Sequence, residues 1–203
     1  MNTVVVGNRI VTPSKVVCVG RNYVEHIEEL NNEIPEDMVL FTKPNSAITD
    51  QLISFHQEAI HYEAELCFLV EGGEFVAVGV GLDLTKRGLQ SKLKAKSLPW
   101  ERAKAFDRST VMSQFIPIEA ISDGLTFELS INDEPIQRGS ITLMMNKPRE
   151  ILKEIQTFMS LEDGDIVMTG TPKGVGKVNA GDEFKVKLSD GDSILTQASW
   201  RAL

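Results

Sequence analysis

His61-Tyr62-Glu63-Ala64-Glu65-Leu66-Cys67-Phe68-Leu69-Val70 decides the fold, because apolar residues fill both of its alternating sets. Successive side chains of an extended chain point to opposite faces. Tyr62, Ala64, Leu66, Phe68 and Val70 then share one face and Glu63, Glu65, Cys67 and Leu69 the other, so this strand is covered on both sides. Glu63 and Glu65 have Cα atoms about 6.6 Å apart and can converge on one point. Ionised carboxylates in such a strand need compensation, since two forced together without a cation repel until one holds its proton. The all-oxygen set favours a hard ion such as Mg2+, Mn2+ or Ca2+ over zinc.

Outward from this strand, the turn Glu71-Gly72-Gly73-Glu74 leads into a second strand, Phe75 to Leu84, and the pair reads as an antiparallel hairpin. Val76, Val78, Val80 and Leu82 form one side. Asp83 lies on the other, beyond the small residues Ala77, Gly79 and Gly81, which admit a ligand or another backbone. Whether Asp83 reaches Glu63 or Glu65 is open at this point. Upstream, Val16 to Gly20 is a buried strand ending at Arg21-Asn22-Tyr23, and Val39 to Pro44 is another. Between them Tyr23, Ile27 and Leu30 recur with helical spacing behind Asn22 as N-cap, which places His26 on the apolar face with Glu29 three residues on. Val4-Val5-Val6 and Ile10-Val11-Thr12 flank the turn Gly7-Asn8-Arg9 as a small hairpin. Downstream, the pattern predicts a short helix near Leu89 to Lys96, a loop from Leu98-Pro99-Trp100 to Lys104, and a half-buried strand from Leu125 to Ile131 ended by Asn132-Asp133-Glu134-Pro135. A helix built on Ile151, Leu152, Ile155, Phe158 and Met159 follows Pro148. Asp165 to Gly170 runs as a strand into the Gly-rich loop Thr171-Pro172-Lys173-Gly174-Val175-Gly176, and Phe184 to Leu188 is the last clear strand. These periods predict an α+β chain, predominantly β, with a few short helices.

The chain has 203 residues, 42% of them hydrophobic, and a formal net charge of −8. That suffices for a sizeable core and argues against a nucleic-acid-binding surface. The two cysteines, Cys18 and Cys67, stand in apolar runs as buried thiols of a reducing compartment. The start lacks a charged leader before a long apolar run, and no stretch approaches the roughly 20 apolar residues of a membrane span. The expectation is a cytoplasmic protein without a membrane or nucleic-acid partner.

Val17-Cys18-Val19-Gly20-Arg21-Asn22-Tyr23 with His26 and Glu29, the Glu63-Ala64-Glu65 pair, Leu82-Asp83-Leu84-Thr85, Leu98-Pro99-Trp100 before Lys104, and Thr169-Gly170-Thr171-Pro172-Lys173-Gly174-Val175-Gly176 together resemble the fumarylacetoacetate hydrolase family, most closely its small acylpyruvase-like members. The likeness runs from about Lys15 onward. It implies a mixed β-sandwich roll, with residues 15–203 as one catalytic domain behind an N-terminal hairpin or edge segment, 1–14, in a homodimer. It also implies Mg2+ or Mn2+, or Ca2+ in crystals, on Glu63, Glu65 and Asp83. His26 and Glu29 match a dyad that deprotonates water, Lys104 the cation facing developing negative charge, and Arg21 and Thr171 the contacts to substrate carboxylate and carbonyl. The implied substrate is a small α-keto acid. The activity implied is hydrolysis of a C–C bond in an acylpyruvate or related 1,3-diketo acid through a metal-stabilised pyruvate enolate. Oxaloacetate decarboxylation, keto–enol tautomerisation or isomerisation on the same scaffold, and a non-catalytic metal-stabilised binding protein are the alternatives. The sequence departs from many relatives at Lys86-Arg87-Gly88, where an Ala-Arg-Asp-like segment with a second acidic residue is common. Taken singly, the residues have plainer readings: solvated glutamates on an edge strand, a capping Asp83, a structural His26, a surface Lys104, a strand-end Arg21, and an ordinary Gly/Pro turn around Thr171. His61 shares the Glu63 face as a fourth ligand or an outer contact.

Overall fold

A computed structural model describes residues 1–29 and 33–203. The central sheet has eight strands. Its path runs Val39–Pro44, Lys15–Gly20, Ile166–Met168, Ala64–Glu71, Glu74–Asp83, Thr110–Met112 and Ile48–Thr49, with Ile116–Pro117 pairing to Glu74–Asp83. Lys15–Gly20 and Ile166–Met168 are parallel, whereas Ala64–Glu71 is antiparallel to both of its neighbours, so the sheet is mixed.

The alternation read from the sequence divides the core. Tyr62, Ala64, Leu66, Phe68 and Val70 join one apolar cluster, while Cys67 and Leu69 join a second on the opposite side. Val17 and Val19 face the first cluster and Val16 and Cys18 the second, as the same period requires. The first cluster packs against a four-stranded antiparallel sheet in the order Glu134–Ser140, Leu125–Ile131, Glu183–Asp190, Ser193–Arg201. Leu66, Phe68, Phe127 and Phe184 are fully or almost fully buried there, each contributing about 1.5–3 kcal/mol of transfer free energy. The chain is therefore mostly β, two sheets packed across one core with the larger sheet curled.

The N-terminal hairpin forms, Val4–Val6 against Arg9–Val11, and docks through Val4 and Val6 on the second cluster. Helix α1 spans Val24–Glu29; the Leu30 end of the expected helix and the Asn31-Asn32 break lie outside the described residues. Helix α2 spans Arg87–Ala95 and carries Gln90 and Leu93 inward. The segment expected as a loop before Lys104 contains a one-turn helix, α3, Glu101–Lys104. Helix α4, Pro148–Gln156, stops short of Phe158 and Met159. The sequence reading missed the short strands Ile48–Thr49, Thr110–Met112 and Ile116–Pro117 and two long ones. Glu134–Ser140 begins directly after a two-residue turn in which Asn132 and Asp133 both have positive φ, and Ser193–Arg201 follows the expected last strand. No helix among the described residues is long and apolar enough to cross a membrane.

Candidate active site

A single irregularity brings the acidic residues together. The hairpin pairs Phe75 with Val70 but Ala77 with Leu69, so Val76 is an extra residue on its strand. Val76, expected beside Val78, instead packs toward the second cluster, while Val78 and Val80 join the first. A one-residue shift changes which side chains share a face. Beyond the bulge Gly81 lies opposite Glu65, Leu82 opposite Ala64, and Asp83 N donates to Glu63 O at 2.8 Å. Asp83 thus arrives beside Glu63 on the face of Glu65, and one carboxylate oxygen of each lies within 4.8 Å of the others. A Cβ at Gly81 would stand 2.7 Å from Met112 Sδ and 2.8 Å from Cys67 Sγ, so glycine keeps this crossing tight.

All three carboxylates are buried, and three cations surround them. Lys104 Nζ lies 2.8 Å from Glu63 Oε2 and 2.6 Å from Asp83 Oδ2, and donates to Thr85 Oγ1 at 2.7 Å. Lys43 Nζ lies 2.8 Å from Asp83 Oδ1 and donates to Ser109 O and Oγ. Arg87 pairs with Glu63 Oε1. Lys43 and Arg87 were not picked out as site residues; the available signal was a lysine in the same alternating set as Val39 and Phe41 of an expected strand.

The compensation is unequal. Burial alone would raise the Glu63 pKa, but Lys104 and Arg87 overcome it and hold the carboxyl well below the usual range. Burial likewise disfavours the charged Lys104, yet Asp83 and Glu63 raise its pKa. Glu65 has no cation partner among the described residues and accepts one hydrogen bond, from Gly170 N at 2.7 Å. Burial first, then repulsion from Asp83 and Glu63, pushes its pKa well up. Asp83 Oδ1 accepts no hydrogen bond despite its ion pair. Three buried oxygen donors, one of them uncompensated, fit a hard divalent cation. His61 is not part of this cluster.

His26 on α1 opens on the same inner cavity as Glu63 and Glu65. Its Nδ1 lies 3.2 Å from Glu29 Oε2, and Glu29 Oε1 accepts from Gly174 N at 2.9 Å. Burial outweighs the attraction of Glu63 and Glu29, so the His26 pKa is lowered and the imidazole is neutral at pH 7. Asn22, expected as an N-cap, directs its amide elsewhere: it donates to Thr169 O and Asn146 O and accepts from Asn146 N, fastening the strand end to the Gly-rich loop. The Thr171 hydroxyl donates to Ala64 O and accepts from Gln137, a residue the sequence gave no reason to single out. Arg21, with a left-handed backbone at φ 57°, lines the cavity. The acidic group missing at Gly88 has a counterpart: Glu58 Oε1 accepts from Leu89 N at 3.0 Å, and a Cβ on Gly88 would come 3.3 Å from that oxygen. A carboxylate still sits at the first turn of α2, where it complements the helix dipole.

A family described as fumarylacetoacetate (FAA) hydrolase C-terminal matches residues 15–199, and the chain belongs to the fumarylacetoacetate hydrolase family. It is 39% identical over 202 residues to oxaloacetate tautomerase YcgM of Escherichia coli, an alignment covering 91% of this chain and 92% of that protein. It is 36% identical over 200 residues, 90% and 92% covered, to a mitochondrial oxaloacetate decarboxylase of Dictyostelium discoideum. The fumarylpyruvate hydrolase of Pseudomonas aeruginosa, solved with Mn2+ and pyruvate, superposes with a TM-score of 0.89 at 27% identity, covering 100% of this chain and 95% of that one. Such relatives are enzymes, and so is this chain; their substrates are small keto acids. The oxaloacetate names weigh toward tautomerisation or decarboxylation over the C–C hydrolysis expected first.

Proposed function

We propose that this chain is a metal-dependent oxaloacetate tautomerase that interconverts the keto and enol forms of its substrate. One observation carries the choice over hydrolysis. A lysine ammonium has three N–H donors, and those of Lys104 are directed at Glu63, Asp83 and Thr85. Hydrolysis needs a donor free for the distal carbonyl oxygen that becomes anionic when water attacks, whereas in tautomerisation the charge develops on the C2 oxygen that a bound ion would polarise, and one positioned base completes the transfer. The likeness to the Escherichia coli tautomerase supports the same reading.

Glu63, Glu65 and Asp83 would hold a divalent ion, Mg2+ or Mn2+, whose chemistry when bound is to polarise the keto and carboxylate oxygens of an α-keto acid. Glu29, anchored by Gly174 N, accepts from His26 Nδ1 and leaves Nε2 with its lone pair toward the cavity. His26 takes a proton from C3 of oxaloacetate and returns it to the oxygen on C2; no bond to water forms and no carbon is lost. A positioned base of this kind supplies about 10²–10⁴-fold. Lys104 keeps Glu63 and Asp83 ionised and in place. Arg21 and Thr171 are proposed to face the substrate carboxylate and carbonyl.

The decisive assay follows loss of oxaloacetate enol absorbance with Mg2+ or Mn2+, alongside pyruvate production. Wild-type enzyme should accelerate ketonisation, and His26→Ala should lose at least about 10²-fold of it. Decarboxylation, the activity named for the Dictyostelium relative, needs no proton abstraction and should survive that substitution. Equal loss of both activities, or acylpyruvate cleavage faster than enol conversion, would reject the assignment.

A further inference from the structure

The inner cavity, about 30 Å³, adjoins an outer cleft of about 730 Å³, and Arg21, Phe41, Lys94 and Trp100 line both. Helix α2 supplies one side of the passage. Arg87, Gln90 and Lys94 recur at i, i+3 and i+7 and all three reach the inner cavity, whereas Lys92 and Lys96 are exposed. Arg87 is paired with Glu63 and Gln90 is bonded to Arg87. Lys94, one turn further out, has no carboxylate partner among the described residues; its ammonium stands 4.8 Å from the centre of the Trp100 ring.

We infer that Lys94 is a specificity-determining residue that binds the distal carboxylate of a four-carbon dicarboxylic keto acid whose keto-acid end lies at Glu63, Glu65 and Asp83. This deepens the proposed function and rests on it for the identity of the substrate. The inner cavity is about the size of one water molecule, so a substrate headed by its keto-acid group must extend its other end through the passage. A monocarboxylic acylpyruvate would place an uncharged alkyl group against this ammonium. A dicarboxylate supplies its counter-charge. The electrostatics point the same way: burial, then the neighbouring Arg21 and Arg87, lower the Lys94 pKa to about 8 against the opposing pull of Glu63, and an anion beside the ammonium offsets its burial and the repulsion of those cations. Trp100 holds the ammonium by its ring face without neutralising it.

Malate and lactate separate this contact from the metal end, because both carry an α-hydroxy acid and only malate has the distal carboxylate. In titration calorimetry on the Mn2+-loaded protein, malate should bind the wild type about 10–100-fold more tightly than lactate, the range of a charged hydrogen bond. Lys94→Met should bring that ratio close to one by weakening malate alone, and Lys94→Arg should preserve most of it. In turnover, Lys94→Met should raise the oxaloacetate KM about tenfold or more and leave kcat within about threefold, the pattern of a binding contact. Equal weakening of both ligands, or an unchanged ratio, would overturn the inference. A wild type that fails to convert oxaloacetate would remove the tautomerase reading alone, and the malate-to-lactate ratio would still decide the role of Lys94.

Discussion

Glu63 and Glu65 stand two residues apart with the same chemistry and near-equal burial, yet their carboxyl groups are driven in opposite directions. The difference is which of them a cation touches. Glu65→Gln replaces a buried carboxyl that no cation compensates while retaining an acceptor for Gly170 N, so the metal-free protein should melt at an unchanged or higher temperature. The same variant should lose the stabilisation that Mn2+ gives the wild type, about 2.7 kcal/mol at a hundredfold excess over Kd. Differential scanning fluorimetry with and without the ion reads both effects. At His26 the sign is set by burial. Its pKa lies below the ordinary 6.5, so the basic form persists as pH falls and the acid limb of kcat/KM should lie below pH 6.5. A limb above that value in a pH–rate profile would remove His26 as the base.

Among the elements, the Gly-rich loop after Ile166–Met168 is tightly constrained at Gly170. Gly170 has a φ of 95°, and a Cβ there would stand 2.7 Å from Asn22 Cβ and 3.2 Å from Val19 O. Gly170→Ala is therefore expected to cost about 1–3 kcal/mol and to turn the amide away from Glu65. Urea unfolding measures the first effect and the Mn2+-dependent melting shift the second. A full metal response in a destabilised Gly170→Ala protein would show that the Gly170 amide does not orient Glu65. Helix α2 is held at its start by Glu58, from a segment distant in sequence. That contact keeps Arg87 on Glu63 and, through the helical period, Lys94 at the passage.

Over the whole molecule the site sets Lys43, Lys104 and Arg87 against Glu63 and Asp83, leaves Glu65 outside these ion pairs, and lies beside two apolar cores. Neither core includes the acidic residues, so the apolar packing that holds the sheets together is built apart from the site. Chelation with EDTA should abolish turnover and leave the far-ultraviolet circular dichroism unchanged, with only the modest fall in melting temperature that loss of a bound ligand entails. Unfolding on chelation would instead support the rival in which a metal merely holds the strands together.

The sequence alone determined what depends on local period. Two-residue alternation in Tyr62 to Val70 assigned each side chain to its core, and helical spacing placed His26 beside Glu29, because such relations need only the chain's own geometry. Helix α3 was illegible because four residues cannot sustain a helix by propensity; packing of Ala103 and Lys104 stabilises it. The strand Ser193–Arg201 was illegible because it is partly exposed along its length and buries no regular apolar face. Asn22 could be named as a helix cap, but its true partners lie more than a hundred residues away. Only the tertiary structure decided which charges meet. The bulge at Val76 set the face of Asp83, and Lys43, Lys104 and Arg87 came from three separate elements to surround it and Glu63. Coulombic compensation acts through space between groups remote in sequence, and spacing along the chain does not encode it.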